Sequence, residues 1–185
     1  MKIVFALGNP GERFVRTRHN VGYLVADALA KKYGREINTY ECRSLTGKIK
    51  IGNEEVLLVK PLTFMNLSGM AVREIQDKFK LDPRNFLVIN DDADLKLGRI
   101  KIVRSGGDAG HLGVRSVMEA LKSDQFPRLR IGIDRPPPEI ELREYVLQEF
   151  TQEEWEVIKS VILTATKAVE AIILQGIEKA MSQYN

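Results

Sequence analysis

The sequence predicts an α/β domain in which helices pack against a β-sheet. Two observations indicate this fold class: strand patterns alternate with helix patterns along the chain, and no segment is repeated. Composition agrees, because 44% of the 185 residues are hydrophobic, which excludes intrinsic disorder. A chain of this length buries roughly 70% of its unfolded surface on folding, enough for a core without disulfides or a structural metal. We therefore expect one domain over residues 1–185.

The first half of the chain alternates strand and helix patterns. Residues 2–7 are rich in β-branched side chains and stop at the turn cluster Gly8-Asn9-Pro10-Gly11, which predicts a strand. Asn20 can cap a helix that continues to about Tyr33. A hairpin and a second helix come next: alternating runs at 45–51 and 55–60 are joined by Gly52-Asn53-Glu54, and helical spacing covers about 68–79.

The second half continues this alternation as far as a proline-rich loop. Strand patterns occupy residues 85–90, 99–103 and 129–133, and a helix covers about 112–122. Pro136-Pro137-Pro138 predicts a loop inside the domain, and the capping box Thr151-Gln152-Glu153-Glu154 begins a final helix. The apolar residues of that helix recur every three or four positions, as one buried face requires: Trp155, Ile158, Ile162, Ala165, Val169, Ile172 and Ile173.

Charge is uneven along the chain, although the formal net charge is only +3. Residues 1–95 carry 15 basic and 12 acidic side chains, residues 96–135 carry 9 and 4, and residues 136–185 carry 4 and 9. The three segments therefore have charges of +3, +5 and −5. A basic middle segment indicates a polyanionic partner for one face, and ordinary solvated surface is the other explanation.

Cysteine and histidine are scarce, which limits the available chemistry. Cys42 is the only cysteine and cannot form an intramolecular disulfide, and one cysteine with two histidines cannot form a usual zinc site. The first apolar run, residues 3–7, is too short for a signal peptide, and no run approaches the roughly 18 apolar residues of a membrane span. We therefore expect a reduced, cytoplasmic protein without membrane contact.

Four polar segments follow predicted strands or begin predicted helices, where open α/β sheets bind their ligands. They cover residues 8–11 with 17–20, 60–69, 90–94 and 106–113. Together they supply an imidazole at a helix start, a carboxylate after a buried strand, and carboxamides at Asn9, Asn20 and Asn66.

This set of side chains suits hydrolysis by general-base catalysis. His19 can take a proton from water near neutral pH, and Asp91 can fix the tautomer of the imidazole and favour the imidazolium. Amide N–H groups can bind a developing oxyanion. A covalent route is disfavoured, because Cys42 lies outside these segments and no serine occupies a Gly-x-Ser-x-Gly elbow.

Each of these residues also has a simpler explanation. His19 can be a capping or surface residue, and His111 a loop residue between glycines. The acidic run at 91–94 suits Mg²⁺, but helix capping and solvation explain it equally well. Gly106-Gly107 before a helix could hold a phosphate, yet the segment lacks the Lys-Ser/Thr of a P-loop and the spacing of a dinucleotide fingerprint. We therefore expect no cofactor and no metal.

Five sets of residues occur together in an order and spacing typical of one enzyme family. They are Leu7-Gly8-Asn9-Pro10-Gly11 with Thr17-Arg18-His19-Asn20-Val21-Gly22, Lys60-Pro61 with Thr63-Phe64-Met65-Asn66-Leu67-Ser68-Gly69, Asp91-Asp92-Ala93-Asp94, Gly110-His111-Leu112-Gly113, and Arg128-Leu129-Arg130-Ile131-Gly132-Ile133. Over about residues 1–150 the chain resembles bacterial-type peptidyl-tRNA hydrolases, a family that also has a C-terminal helix.

The resemblance implies both a fold and an activity. The fold is a single-domain twisted mixed β-sheet flanked by helices. The activity is hydrolysis of the ester that joins a peptide to the 3′-terminal ribose of tRNA, which recycles tRNA from prematurely released peptidyl-tRNA.

The resemblance also implies roles for individual residues. His19 is the base that activates water, Asp91 holds it in its basic, oriented form, and Asn9, grouped with them as catalytic, distinguishes blocked from free aminoacyl groups. On the substrate side, Asn66 binds the peptide–ribose junction and two aromatic rings line the tRNA end. The two rings are those of Phe14 and Phe64. The other substrate-side positions are Asn20, Met65, His111 and Leu112.

The implied partner is peptidyl-tRNA, bound through its acceptor stem and CCA end. Stacking and carboxamide hydrogen bonds recognise an unpaired CCA end, while Lys and Arg neutralise stem phosphates. Lys101, Arg104 and Arg130 lie in the basic segment, and Lys101 and Arg130 match family positions proposed to contact phosphate. We expect a monomer with no obligate protein partner.

Four positions depart from the commoner family pattern. Leu112 replaces an Asn that hydrogen-bonds the tRNA end, and losing that contact would weaken binding by about 1 kcal/mol or more. Asn90 stands where His often precedes the Asp, Phe14 where Tyr is common, and Ala93 where Leu is frequent. None of these changes removes the catalytic base.

Two other functions stay open on the sequence alone. The fold also occurs in a plant organelle intron-splicing factor, so a non-catalytic RNA-binding module is the main alternative, although the retained catalytic set argues against it. A phosphate-linked small-molecule enzyme that uses residues 106–110 is the second. The glycines also make residues 104–113 a candidate lid.

Overall fold

A seven-stranded mixed β-sheet forms the centre of the molecule, and a computed structural model describes all 185 residues. The strands are β1 (Lys2–Ala6), β2 (Thr39–Glu41), β3 (Ser44–Ile51), β4 (Glu54–Pro61), β5 (Phe86–Asp92), β6 (Ile100–Val103) and β7 (Arg128–Gly132). Their spatial order is β2-β3-β4-β1-β5-β7-β6. β4, β1, β5 and β7 run parallel, whereas the outer pairs are antiparallel. The carboxyl ends of the parallel strands therefore meet at one edge of the sheet.

Helices cover both faces of this sheet. They are α1 (Val21–Lys32), α2 (Ser68–Phe79), α3 (Leu112–Leu121), α4 (Leu142–Tyr145), α5 (Gln152–Gln175) and α6 (Ile177–Tyr184). On one face, α1, α5 and α6 contribute to a core of 30 buried residues, and on the other α2 and α3 contribute to a core of 14. None of the helices combines the length and apolar character that a membrane-spanning segment would need.

The central strand β1 shows why the first apolar run is continuous rather than alternating. Val4 and Ala6 belong to the larger core, whereas Ile3 and Phe5 belong to the smaller one. Successive side chains of a strand point to opposite faces, so a strand covered on both faces needs apolar residues at every position.

The predicted hairpin and the final capping box are both confirmed. β3 and β4 pair antiparallel from Ser44 and Pro61 down to Ile51 and Glu54, so Gly52 and Asn53 alone form the loop. The Thr151 side chain accepts from the Glu154 N–H, and the Glu154 side chain accepts from the Thr151 N–H, which caps α5.

One capping prediction is wrong, and three elements were not predicted. Asn20 occupies the N-cap position of α1 but makes no capping hydrogen bond, because its carboxamide binds the backbone of Asn9 instead.

The three elements that were not predicted are β2, α4 and α6. The short elements β2 and α4 carry no periodic pattern. The helical C-terminus is divided into α5 and α6 by Gly176, which has a φ of 89°.

Candidate active site

A cleft of about 640 Å³ lies at the carboxyl edge of the parallel strands. Most of the site residues predicted from the sequence line it: Asn9, Phe14, His19, Phe64, Met65, Asn66, Asp91, His111, Leu112 and Arg130. Asn20, Lys101 and Arg104 do not line it. The fold thus brings the four polar segments of the sequence to one place.

His19 reaches this cleft from a short 3-10 turn, Arg18–Asn20, that leads directly into α1. Its backbone N–H donates to the Val146 carbonyl at 2.8 Å. Gly22 lets α1 approach the sheet, because a Cβ there would lie 2.6 Å from the Leu7 carbonyl oxygen and 2.8 Å from that of Ile89. The turn is therefore held against the ends of β1 and β5.

Asp91, near the end of β5, is the buried carboxylate of the site. Its side chain is 3% exposed, and the His19 Nδ1 lies 2.9 Å from Oδ1 and 3.0 Å from Oδ2. Burial alone would raise the pKa of Asp91, but the facing charges of His19 and His111 and the hydrogen bonds from both rings outweigh burial and lower that pKa. Asp91 is therefore ionised at neutral pH and accepts a hydrogen bond from His19 Nδ1.

His111 binds the same carboxylate, through the oxygen that also faces His19. Its Nε2 lies 2.8 Å from Asp91 Oδ1, and its Nδ1 accepts from the Val114 N–H at 3.2 Å, which caps α3. Because Nδ1 accepts a hydrogen bond from the backbone, the ring proton of neutral His111 must be on Nε2. Both nitrogens of His111 are therefore occupied.

The two rings consequently differ in what they offer to a substrate. His19 uses only Nδ1 within the protein, whereas His111 uses both of its nitrogens. The ring planes are tilted by 43° with centroids 4.9 Å apart, so both rings share one wall of the cleft. His19 Nε2 is the one imidazole nitrogen free to take a proton from water.

Ligand atoms of His19, Asp91 and His111 all lie within 4.8 Å of one another, a grouping that could in principle hold a metal ion. A metal on His111 Nε2 would require the ring proton on Nδ1, which faces the N–H of Val114. The hydrogen bonds thus fit two histidines that share one carboxylate better than a metal centre.

The Asn20 carboxamide holds the backbone of Asn9, which lines the cleft. Asn20 Oδ1 accepts from the Asn9 N–H at 2.9 Å, and Asn20 Nδ2 donates to the Asn9 carbonyl at 2.9 Å. Asn9 Oδ1 accepts from the Met65 N–H at 2.9 Å. This orients the Asn9 amide so that its Nδ2 is the end left for a ligand. Asn20, 1% exposed, lies behind Asn9 rather than in the cleft.

Exposed apolar side chains form the rim of the cleft. Phe64 is 60% exposed and Leu112 is 51% exposed. Phe14 is half-buried, and the guanidinium of Arg13 lies 4.5 Å from its ring centroid. Asn66 is exposed beside Phe64. Such rings offer flat faces on which unpaired bases can stack.

The predicted basic residues are placed differently from one another. Lys101 and Arg130 are directly opposite in the β6–β7 ladder, and Lys101 is exposed without a carboxylate partner within 4.0 Å. Arg130 Nε lies 2.5 Å from Asp92 Oδ2, so part of its charge is neutralised. Arg104 does not reach the cleft and pairs with Glu178 of α6 at 3.3 Å.

Several residues that the sequence interpretation did not single out also line the cleft: Arg13, Arg128, Arg135, Leu142, Arg143, Val146 and Leu147. Arg128 is buried and donates to the Gly106 and Gly107 carbonyls at 2.7 and 2.9 Å, which ties the glycine segment to β7. Arg128 stands in the matching residues 128–133, whereas only the excess of basic residues in 96–135 pointed toward Arg135. Lid motion of residues 104–113 stays a prediction.

The comparisons with known proteins agree with this geometry. A family model described as peptidyl-tRNA hydrolase matches residues 3–185. A peptidyl-tRNA hydrolase of Alkaliphilus metalliredigens is 45% identical over 185 residues, which is 100% of both chains. One from Caldanaerobacter subterraneus is 44% identical, again over 100% of both chains.

Solved structures give the same result. The crystal structure of peptidyl-tRNA hydrolase from Acinetobacter baumannii superposes with a TM-score of 0.94 at 30% sequence identity. The match covers 100% of this chain and 94% of that one. The expected fold, a mixed sheet flanked by helices, is therefore confirmed.

Proposed function

The chain belongs to the peptidyl-tRNA hydrolase family, and we propose that His19 is the general base of its reaction. The enzyme hydrolyses the ester between the peptide and the 3′-terminal ribose of peptidyl-tRNA, which frees tRNA and peptide for reuse in translation. The observation that supports the role of His19 is the hydrogen bond from its Nδ1 to the buried Asp91, with Nε2 left unbound at the cleft.

The first chemical step is attack of water on the ester carbonyl carbon. His19 Nε2 takes one proton of the water as the new C–O bond forms, and the carbonyl oxygen becomes an oxyanion. The resulting imidazolium is stabilised by the ionised Asp91, whose lowered pKa keeps it from taking the proton itself. In the second step the imidazolium returns the proton to the ribose oxygen as the C–O bond to tRNA breaks.

Carboxamides supply the neutral hydrogen-bond donors that this reaction needs. Asn9 Nδ2 has no protein acceptor, and the hydrogen bond from the Met65 N–H to Asn9 Oδ1 fixes the orientation of the amide. We infer that this amide binds the carbonyl next to the scissile ester, and that Asn66 binds the junction of peptide and ribose. A neutral donor at this position distinguishes an N-blocked aminoacyl group, which has a carbonyl there, from a free one, which has an ammonium group and no such acceptor.

The rim of the cleft suits the unpaired CCA end of a tRNA, and the β6–β7 face suits the phosphates of its acceptor stem. Phe14 and Phe64 provide stacking surfaces for unpaired bases of the CCA end. Lys101 and Arg130 lie side by side on one face of the sheet and provide contacts for stem phosphates. Leu112 offers only apolar contact at its position, and Asn9 and Asn66 are the carboxamides that we propose for the substrate.

A turnover assay tests the proposed function against the RNA-binding alternative. We expect the purified protein to release N-acetylated amino acid from N-acetyl-aminoacyl-tRNA through many turnovers per molecule. Stoichiometric retention of the RNA without released product would contradict catalysis. We further propose that the enzyme works as a monomer in the cytoplasm, and light scattering of the purified protein together with cell fractionation tests these two points.

A further inference from the structure

Arg18 is a buried arginine next to His19, and the proposed reaction assigns it no role. The residue is 4% exposed and does not line the cleft. A buried charge is costly unless it is paired and hydrogen-bonded, so such a residue needs an account of its contacts.

The guanidinium group of Arg18 is bound by three oxygen atoms and lies near two aromatic rings. Nη1 donates to the Tyr145 carbonyl at 3.2 Å and to the Gln148 carbonyl at 3.3 Å. Nη2 donates to Glu154 Oε2 at 2.7 Å. Its Cζ also lies 4.0 Å from the centroid of the Tyr145 ring and 5.7 Å from that of Phe150. The planar fork of arginine suits this divergent set of acceptors, whereas lysine cannot reproduce it.

Glu154 connects this arginine to the longest helix of the molecule. The same Oε2 accepts from the Thr151 N–H at 2.7 Å, as part of the capping box that begins α5. Seven residues of α5 are buried, so the helix is firmly packed in the larger core. The N-terminus of α5 therefore gives Arg18 a rigid point of attachment.

The backbone on both sides of Arg18 is bound to the same part of the chain. The His19 N–H donates to the Val146 carbonyl at 2.8 Å, and the Arg18 N–H donates to the Gln148 carbonyl at 3.1 Å. Val146 and Leu147 lie between the two carbonyls that the guanidinium binds, and both line the cleft. Arg18 thus joins the turn that carries His19 to the segment that forms part of the cleft wall.

We propose that Arg18 is a positioning residue for His19, and that Glu154 anchors it to α5. The pair holds the His19 imidazole at the position from which Nδ1 meets Asp91 and Nε2 meets the attacking water. This inference rests on the proposed role of His19 as general base. It assigns to the N-terminus of α5 a part in catalysis, although α5 contributes no residue to the cleft.

The first test compares Arg18→Lys and Glu154→Gln with the wild-type enzyme. Lysine keeps the charge but loses the fork, and the glutamine amide keeps an oxygen that can accept from the Thr151 N–H. A small displacement of a catalytic group lowers rates by about 10- to 100-fold, so we expect a fall of that size in kcat for Arg18→Lys and a smaller one for Glu154→Gln. KM should change little, because neither residue touches the cleft.

Matched controls come from the exposed pair Arg73 and Asp77, whose side chains are 51% and 56% exposed. Arg73→Lys and Asp77→Asn make equivalent chemical changes on α2, and we expect wild-type kcat for both. All assays are run well below the thermal midpoint of each variant. If Arg18→Lys fails to fold, Glu154→Gln carries the test alone, and an unchanged kcat in that variant overturns the proposal.

A double-mutant cycle separates positioning from a purely structural role. If Arg18 acts through the His19–Asp91 pair, the double variant Arg18→Lys with Asp91→Asn should lose less activity than the product of the single losses. Multiplicative losses would overturn the proposal, as would a lower thermal midpoint with unchanged kcat. His19→Ala measured alongside identifies the cause of failure: if it retains activity, the proposed base is wrong, whereas failure of the Arg18 variants alone concerns only the positioning role.

Discussion

At the scale of single residues, the hydrogen bonds of Asp91 and Val114 distinguish the two histidines of the site. One carboxylate accepts hydrogen bonds from Nδ1 of His19 and from Nε2 of His111. His111 then has no free lone pair, because Val114 donates to its other nitrogen. The asymmetry comes from the N-terminus of α3, where a backbone N–H rather than a second acid leaves His19 as the proposed base.

Asp91→Asn should lower kcat by at least about tenfold while tRNA binding is nearly unchanged. The asparagine side chain keeps an oxygen that can accept hydrogen bonds, but it lacks the negative charge that stabilises the imidazolium. Steady-state kinetics give kcat, and filter binding with uncharged tRNA gives the dissociation constant. A large loss of tRNA binding would show instead that Asp91 has a structural role.

The lowered pKa of Asp91 predicts a loss of stability in acid. An aspartate of the unfolded chain titrates near about 3.9, whereas the folded pKa is lower, so the unfolded state binds more protons in the interval between them. The stabilisation is complete above the unfolded pKa and is lost as the pH falls toward the folded one.

Urea unfolding of wild type and Asp91→Asn tests this, over a series from about pH 5 to about pH 2.5. The free energy of unfolding should decrease more steeply with acid in the wild type than in the variant. Parallel curves would mean that the Asp91 pKa is not lowered on folding.

The site was only partly predictable at this scale. Asp91 and His19 could be paired from their places after a strand and before a helix. The second hydrogen bond from His111 depends on a ring rotamer and on the capping geometry of α3, which no local pattern encodes. The buried position of Asn20 likewise depends on how the turns after β1 and before α1 meet.

At the scale of elements, the placement of His19 depends on how closely α1 approaches the sheet. Gly22→Ala would put a Cβ 2.6 Å from the backbone oxygen of Leu7, which neither strand nor helix can relieve locally. We expect a destabilisation of about 1–3 kcal/mol and a lower kcat.

Gly107→Ala is the matched control for stability, because no atom lies within 4 Å of the Cβ it would add. Thermal unfolding of both variants provides the measurement. Equal thermal midpoints for Gly22→Ala and wild type would refute a tight approach of α1.

The long elements were predictable and the short ones were not. Helix α2 was expected at about residues 68–79 and is observed at Ser68–Phe79, because a repeated apolar face is a strong local signal. Strand β2 has only three residues, and α4 has four, so their formation depends on partners rather than on sequence periodicity. The Val146–Leu147 wall of the cleft follows α4 and was missed for the same reason.

At the scale of the whole molecule, the excess charge of residues 96–135 is not all available to RNA. Arg104 is paired with Glu178 and Arg130 with Asp92, whereas Lys101 has no carboxylate within 4.0 Å. Arg135 also pairs with Asp94. A count of charges therefore overstates the number of free phosphate contacts, and Lys101 is the strongest candidate among those predicted.

Lys101→Glu should weaken tRNA binding and flatten its salt dependence. Each phosphate contact releases counterions, so the slope of log Kd against log salt should fall in magnitude by about one. Lys31→Glu makes the same change on the exposed last turn of α1, away from the cleft, and should leave the slope intact. An unchanged slope for Lys101→Glu would exclude a phosphate contact there.

The most direct test of the mechanism compares His19→Ala with His111→Ala in the same hydrolysis assay on N-acetyl-aminoacyl-tRNA. We expect His19→Ala to lower kcat by about 100-fold or more, the usual contribution of a general base, and His111→Ala to lower it clearly less. Near wild-type turnover by His19→Ala, or an equal loss in both variants, would contradict the assignment of His19 Nε2 as the base.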